Sequence, residues 1–186
     1  MTTLEAYNAF LRGDESAAEV LISCYGDMLF HFAMRYLKNE ALAEDAVEDA
    51  FVAFLLARKR FSAEGQLRTY LYRAVRSRAI DRLRTASREI SLCEVEEVLS
   101  ETEDASGDPA QLAVYAERNA VLRRCMEEIA PQYKEALVLF YFEELSFDEV
   151  CRVTGKSRRQ VYKCLTRARA AMKELLIREG ISDENF

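Results

Sequence analysis

Three groups of side chains in this sequence have the types and spacing to do chemistry, and in each the chemistry is that of charge and stacking rather than bond-making. The first is SRRQVYKCLTRAR, where Arg158, Arg159, Tyr162, Lys163 and Arg167 surround an apolar stripe. The second is TYLYRAVRSRAIDRLR, where Arg73, Arg76, Ser77, Ile80 and Arg84 share a face flanked by Tyr70 and Tyr72. Cations hold a phosphate backbone and rings accept unstacked bases, so this mixture suits single-stranded nucleic acid. The alternative for each tyrosine is that it completes the core. The third group is AEDAVED, in which Glu44, Asp45, Glu48 and Asp49 put four carboxylates within six residues. Carboxylates near a helix start are stabilised by its dipole, and this many also make a docking surface for a basic partner. No nucleophile with a nearby base and no glycine-rich phosphate loop is present. His31 is the only histidine and has no cysteine at ligand spacing. The sequence therefore predicts no enzyme, no metal and no cofactor.

The elements that must position the first group are legible from local signals. Ser146 with Glu149 and Ser157 with Gln160 both fit the S-x-x-E/Q capping box, in which the hydroxyl and the N3 side chain each satisfy a free amide. Two helices thus start eleven residues apart. Leu145 and Val150 suit a hydrophobic staple on the first, and Gly155 falls where the chain must turn. The outline is a helix-turn-helix. The N-terminal residues of its second helix reach base edges, which makes Arg158, Arg159 and Tyr162 candidate readers of a major groove. Lys163 and Arg167 are better placed to hold phosphate.

The chain of 186 residues carries a net charge of −6, which looks wrong for a nucleic-acid binder until it is resolved along the sequence. Residues 58–90 hold ten Lys or Arg against three Asp or Glu, and residues 150–178 hold nine against one. Two cationic blocks lie among acidic ones, which points to a polyanionic partner for the former and another partner for the latter. Five cysteines, Cys24, Cys93, Cys125, Cys151 and Cys164, show no C-x-x-C spacing, and no secretory or membrane-spanning apolar run occurs. A reducing cytoplasm is expected.

In order, residues 3–12 predict a short helix stopped at Gly13, with Asp14 capping a long second helix that Asn39 ends. A third helix carries the carboxylates and buries Ala43, Ala46, Val47, Ala50, Phe51, Phe54 and Leu55. A basic loop through Gly65 leads to a helix over residues 66–84, with Leu67, Leu71, Ala74, Val75, Ala79 and Leu83 inward. Residues 85–109 read as a flexible acidic linker that spans roughly 85 Å if extended. Beyond Pro109 come a helix to about Ile129, another from Pro131 through Tyr141, and the helix-turn-helix. The expected fold is all-α: two small helical bundles, residues 1–84 and 110–178, a linker over 85–109, and a tail over 179–186.

With those motifs in place, the chain resembles the extracytoplasmic-function sigma factors of bacterial RNA polymerase from about Ala18 to Leu176. AEDAVEDAFVAF resembles the family's core-polymerase-binding helix, TYLYRAVRSRAIDRLR its promoter-melting and minus-ten helix, and LSFDEVCRVTGKSRRQVYKCLTRARAAMKEL its minus-thirty-five reader. The resemblance implies that Glu44, Asp45, Glu48, Asp49 and Phe51 meet core polymerase. It implies that Lys59, Arg60, Arg68, Tyr72, Arg73, Arg76, Ser77, Asp81 and Arg84 line the opened minus-ten strand. Arg158, Arg159, Tyr162, Lys163 and Arg167 would hold the minus-thirty-five duplex. Glu48 stands where the family usually has glutamine, Ser77 where it has asparagine, and Tyr70 where many members have tryptophan. The implied partners are core RNA polymerase and promoter DNA, both duplex and melted, with an anti-sigma factor left open and no membrane insertion. The alternative is a stand-alone helix-turn-helix regulator that does not use core polymerase.

Overall fold

The computed structural model describes residues 2–89 and 109–181, with side chains through residue 85 and from residue 117. All regular structure among them is helical, in two compact units. The first unit holds α1 (Thr3–Leu11), α2 (Ala17–Leu37), α3 (Glu40–Ala57) and α4 (Glu64–Glu89). The second holds α5 (Pro109–Glu128), α6 (Pro131–Leu137), α8 (Arg158–Arg178) and most of α7 (Phe147–Thr154).

In the first unit, α4 packs against both α2 and α3, and the shared core is Leu21, Leu29, Phe32, Phe54, Leu67, Leu71 and Val75. Burying each such side chain contributes about 1.5–3 kcal/mol. Several helix ends differ from expectation. Asp14 does not cap α2: Ser16 takes the N-cap position and its hydroxyl donates to the Asp14 carboxylate at 2.6 Å. Asn39 does not end α2. Lys38 does, at a left-handed φ of 51° with its N–H on Met34 O, while the Asn39 side chain accepts from Leu42 N–H at 3.0 Å and opens α3. An asparagine between two helices serves either end, and the following acidic turn decides for the N-cap. Helix α4 starts at Glu64, takes in Gly65, and continues five residues past Arg84. The remaining linker residues 90–108, with Cys93, and the tail residues 182–186 lie outside the described residues.

In the second unit both capping boxes form. Ser146 Oγ accepts from Glu149 N–H while Glu149 accepts from Ser146 N–H at 2.8 Å, and Ser157 and Gln160 repeat the pattern. Leu145 and Val150 are buried. Gly155 closes α7 at φ +69°, a left-handed position. The helix after Pro131 is not α-helical to its end: Val138–Phe142 forms a π-helical turn that buries Val138 and Leu139 and leaves Tyr141 and Phe142 half-exposed. Ile129, Leu137 and Ala168 form the core, covered by Met126, Tyr133, Met172 and Leu175. Lys156 in the turn reaches the largely buried Glu135 of α6 at 2.9 Å and ties the helix-turn-helix to the bundle.

Gly155→Ala should destabilise the second unit by about 1–2 kcal/mol, since a Cβ is disfavoured in the left-handed region, although no side chain obstructs it. Urea unfolding reads this, with Gly155→Asn expected to lose less. Cys24 is exposed whereas Cys125 is buried, and burial pushes the Cys125 thiol up. Under native conditions alkylation mapped by mass should therefore label Cys24 and spare Cys125.

Candidate nucleic-acid interface

Helix α3 turns Ala43, Ala46, Val47, Ala50 and Phe54 inward and presents Glu44, Asp45, Glu48 and Asp49 to solvent. At about 100° per residue, Asp45, Asp49, Val52 and Leu56 form one outward row. Its second half is apolar, with Val52 57% and Leu56 77% exposed. Phe51, assigned to the same surface from sequence, is 5% exposed and belongs to the core. It sits at the edge of the buried stripe, and that edge closes because α3 packs on both α2 and α4. Arg82 of α4 reaches Asp49 at 2.8 Å and Asp45 at 3.4 Å, so part of the carboxylate row is matched by a cation from the neighbouring helix.

On α4, Arg73, Ser77 and Arg84 are exposed along one crest with Asp81 beside it, and Arg84 lies 3.8 Å from Asp81. Arg76 is half-buried on one flank. Tyr72 is not on this surface. It is 1% exposed, with its ring against Phe32 at 5.0 Å, edge to face. The inward stripe is widened by two packing partners, and that widening draws in Tyr72. Tyr70 is half-buried, among Phe54, Phe61 and the Lys59 ammonium, which stands 4.9 Å from the ring centre. Arg68 is about 140° around the helix from Arg73 and lines a cleft with Thr3, Tyr25, Met28 and Glu64. Lys59 and Arg60 are exposed in the loop of residues 58–63 that precedes α4. The structure thus brings Arg73, Ser77, Asp81 and Arg84 together and sets Arg68 and Tyr72 apart.

On α8, Val161, Leu165, Ala168 and Leu176 face the core. Arg159 and Lys163 lie one turn apart on the solvent crest. Tyr162 is 64% exposed on the flank beside Arg158. Arg158 leans on α7, 3.2 Å from Asp148 and over the Phe147 ring. Arg167 is about 180° around from Arg158. It donates to the Tyr133 hydroxyl at 2.9 Å, a bond that raises its pKa further above the ordinary arginine value. The five candidate residues therefore cover more than one face.

Two family models match this chain: "Sigma-70 region 2" over residues 21–89 and "Sigma-70, region 4" over residues 119–172. Relatives match over most of their own length as well as most of this chain. An ECF RNA polymerase sigma factor SigM of Bacillus subtilis (strain 168) is 27% identical, over 86% of this chain and 94% of its own length. The chain belongs to the extracytoplasmic-function sigma factors. The ECF RNA polymerase sigma-E factor of Escherichia coli (strain K12) is 23% identical over 87% of each chain. Among solved structures, the sigma factor RpoE from Bartonella quintana, in complex with the anti-sigma factor NepR, aligns with a TM-score of 0.67 at 18% identity, covering 85% of this chain and 95% of that one. CnrH, in complex with the cytosolic domain of CnrY, aligns with a TM-score of 0.63 at 23% identity, over 93% and 96%. These likenesses carry the all-helical fold.

In this sigma factor the residues that sequence reasoning passed over are Val52, Leu56 and Arg82. The two apolar positions are i and i+4 on one helix face, a signal that the strong inward stripe of α3 concealed. Arg82 is one of several arginines on α4, and only the packing of α3 on α4 separates it from the rest. Its pairs with Asp45 and Asp49 are partly exposed, so a double-mutant cycle on Arg82 and Asp49 should give a coupling of about 0.2–1 kcal/mol. Equilibrium unfolding of the four proteins measures it, and a coupling of several kcal/mol would mark a buried pair instead.

Proposed function

We propose that the first unit carries both the polymerase-docking surface and the minus-ten strand contacts, and that the second carries the minus-thirty-five duplex contacts. This sigma factor is a transcription initiation factor that binds core RNA polymerase and directs it to promoters, in keeping with its two family matches. The observation that carries the allocation is the exposed row on α3, carboxylates followed by Val52 and Leu56, set against two exposed cationic crests on α4 and α8. Carboxylates steer a basic partner, while desolvated apolar side chains supply the larger part of the binding energy at an interface. The docking set becomes Glu44, Asp45, Glu48 and Asp49 with Val52 and Leu56, without Phe51. The strand-contacting set becomes Lys59, Arg60, Arg73, Arg76, Ser77, Asp81 and Arg84, with Arg68 at its margin and without Tyr72. On α8, Arg159, Tyr162 and Lys163 face the duplex together, Arg158 joins them by leaving Asp148, and Arg167 braces the helix against Tyr133.

Such a protein promotes opening by binding energy alone, with no catalytic groups of its own. No helix among the described residues is long and apolar enough to cross a membrane, which agrees with work in the cytoplasm. The reading also has room for an anti-sigma partner, the kind of protein that the Bartonella quintana factor is bound to.

Reversing charge at Glu44 and Glu48, which leaves the Arg82 pairs in place, should abolish binding to core polymerase in a pull-down while the unfolding midpoint stays put. Undiminished polymerase binding would favour a stand-alone regulator. For duplex binding, Lys163→Ala should weaken affinity evenly across sequences and reduce the salt slope by about one phosphate equivalent. Arg159→Ala should in addition relax sequence choice by about 1–3 kcal/mol. Titrations at several salt concentrations on matched and mismatched duplexes separate the two, and identical nonspecific losses would remove Arg159 as a reader.

A further inference from the structure

Helix α1 lies outside both family matches, the first of which begins at residue 21, yet it touches the basic loop of residues 58–63 at its start and middle and the first residue of α4 that follows. At the start, Arg58 Nη2 donates to Leu11 O at 3.2 Å and the guanidinium lies over the Phe10 ring at 5.5 Å. Arg58 is also the left-handed C-cap of α3, at a φ of 43°, so these contacts hold the point where the chain leaves that helix. In the middle, Phe61 packs its ring 5.4 Å from that of Tyr7 and 5.6 Å from that of Tyr70. Beyond the loop, the Thr3 hydroxyl donates to the Glu64 carboxylate, and it lies 3.0 Å from the Tyr25 hydroxyl.

Tyr7 is fully buried among Phe10, Phe54 and Phe61, and its hydroxyl has no hydrogen-bond partner among the described residues. Burying a hydroxyl without a partner is unfavourable. What holds Tyr7 in place is therefore its ring. These contacts fix the segment that carries Lys59 and Arg60, whose side chains stay exposed.

We infer that α1 is a clamp that sets the conformation of the loop of residues 58–63 before promoter DNA arrives, so that Thr3, Tyr7 and Phe10 are positioning residues for minus-ten strand recognition. The inference rests on the reading of Lys59 and Arg60 as strand contacts. A loop ordered in advance does not have to be ordered during binding, so less conformational freedom is lost when the strand arrives.

The test uses the full chain in holoenzyme and a forked promoter whose minus-ten strand is already single, taken from sequences that the wild-type holoenzyme selects from a randomised library. The double variant Thr3→Val with Phe10→Ala should bind this probe about tenfold more weakly. Its affinities for core polymerase and for a minus-thirty-five duplex should match wild type. Tyr7→Phe should keep full probe binding, and Tyr7→Ala should lose it. Lys59→Ala with Arg60→Ala serves as the check on the underlying reading. If the loop variant binds the probe normally, the strand-contact reading itself fails. If the loop variant is weakened and the Thr3/Phe10 variant is not, the clamp is overturned. Parallel loss of polymerase, duplex and strand binding in the Thr3/Phe10 variant, with a lowered unfolding midpoint, reduces α1 to a structural support and also overturns it.

Discussion

The aromatic cluster around Tyr7 is the constraint on which the first unit depends. Rings from α1, α3, the basic loop and α4 meet within 4.6–6.2 Å of one another there, and aromatic pairs at such separations contribute beyond their buried area. Because α3 and α4 are pinned at this cluster, the carboxylate row of one and the cationic crest of the other hold fixed directions. Arg82 spans the two helices on their partly exposed side. One helix pair therefore presents an acidic face and a basic face without the two charges cancelling.

The second unit solves a different problem with local chemistry. Two reciprocal capping boxes and a left-handed glycine set where α7 ends and α8 begins, and Lys156 with Glu135 fastens the turn to α6. Arg158 and Arg167 each have an intramolecular partner. The first is an ion pair with Asp148 and the second a hydrogen bond to the neutral Tyr133 hydroxyl, and both hold long side chains against neighbouring helices.

Features governed by neighbours in sequence were legible there. The capping boxes, the glycine turn, the staple residues and the inner stripe of α8 follow from spacing alone, and the all-α class follows from the helical period. Features governed by packing were not. Phe51 and Tyr72 both sit at the margin of an apolar stripe, and whether a margin is buried depends on how many helices flank it. The π-helical turn at Val138–Phe142 hides in a run of apolar residues whose period is ambiguous. Asn39 was readable as a helix boundary but not as which end. Val52 and Leu56 were hidden in a different way, since the strong inward stripe of α3 masks two apolar residues that the structure places outward.

The central claim is that this chain turns core polymerase into a promoter-selective enzyme. Adding the purified protein to core RNA polymerase on a randomised promoter library and sequencing the transcript starts tests it most directly. The account predicts transcripts whose templates share two sequence elements at a fixed separation upstream of the start. Duplex binding by the protein with no selective transcript from any template would contradict it.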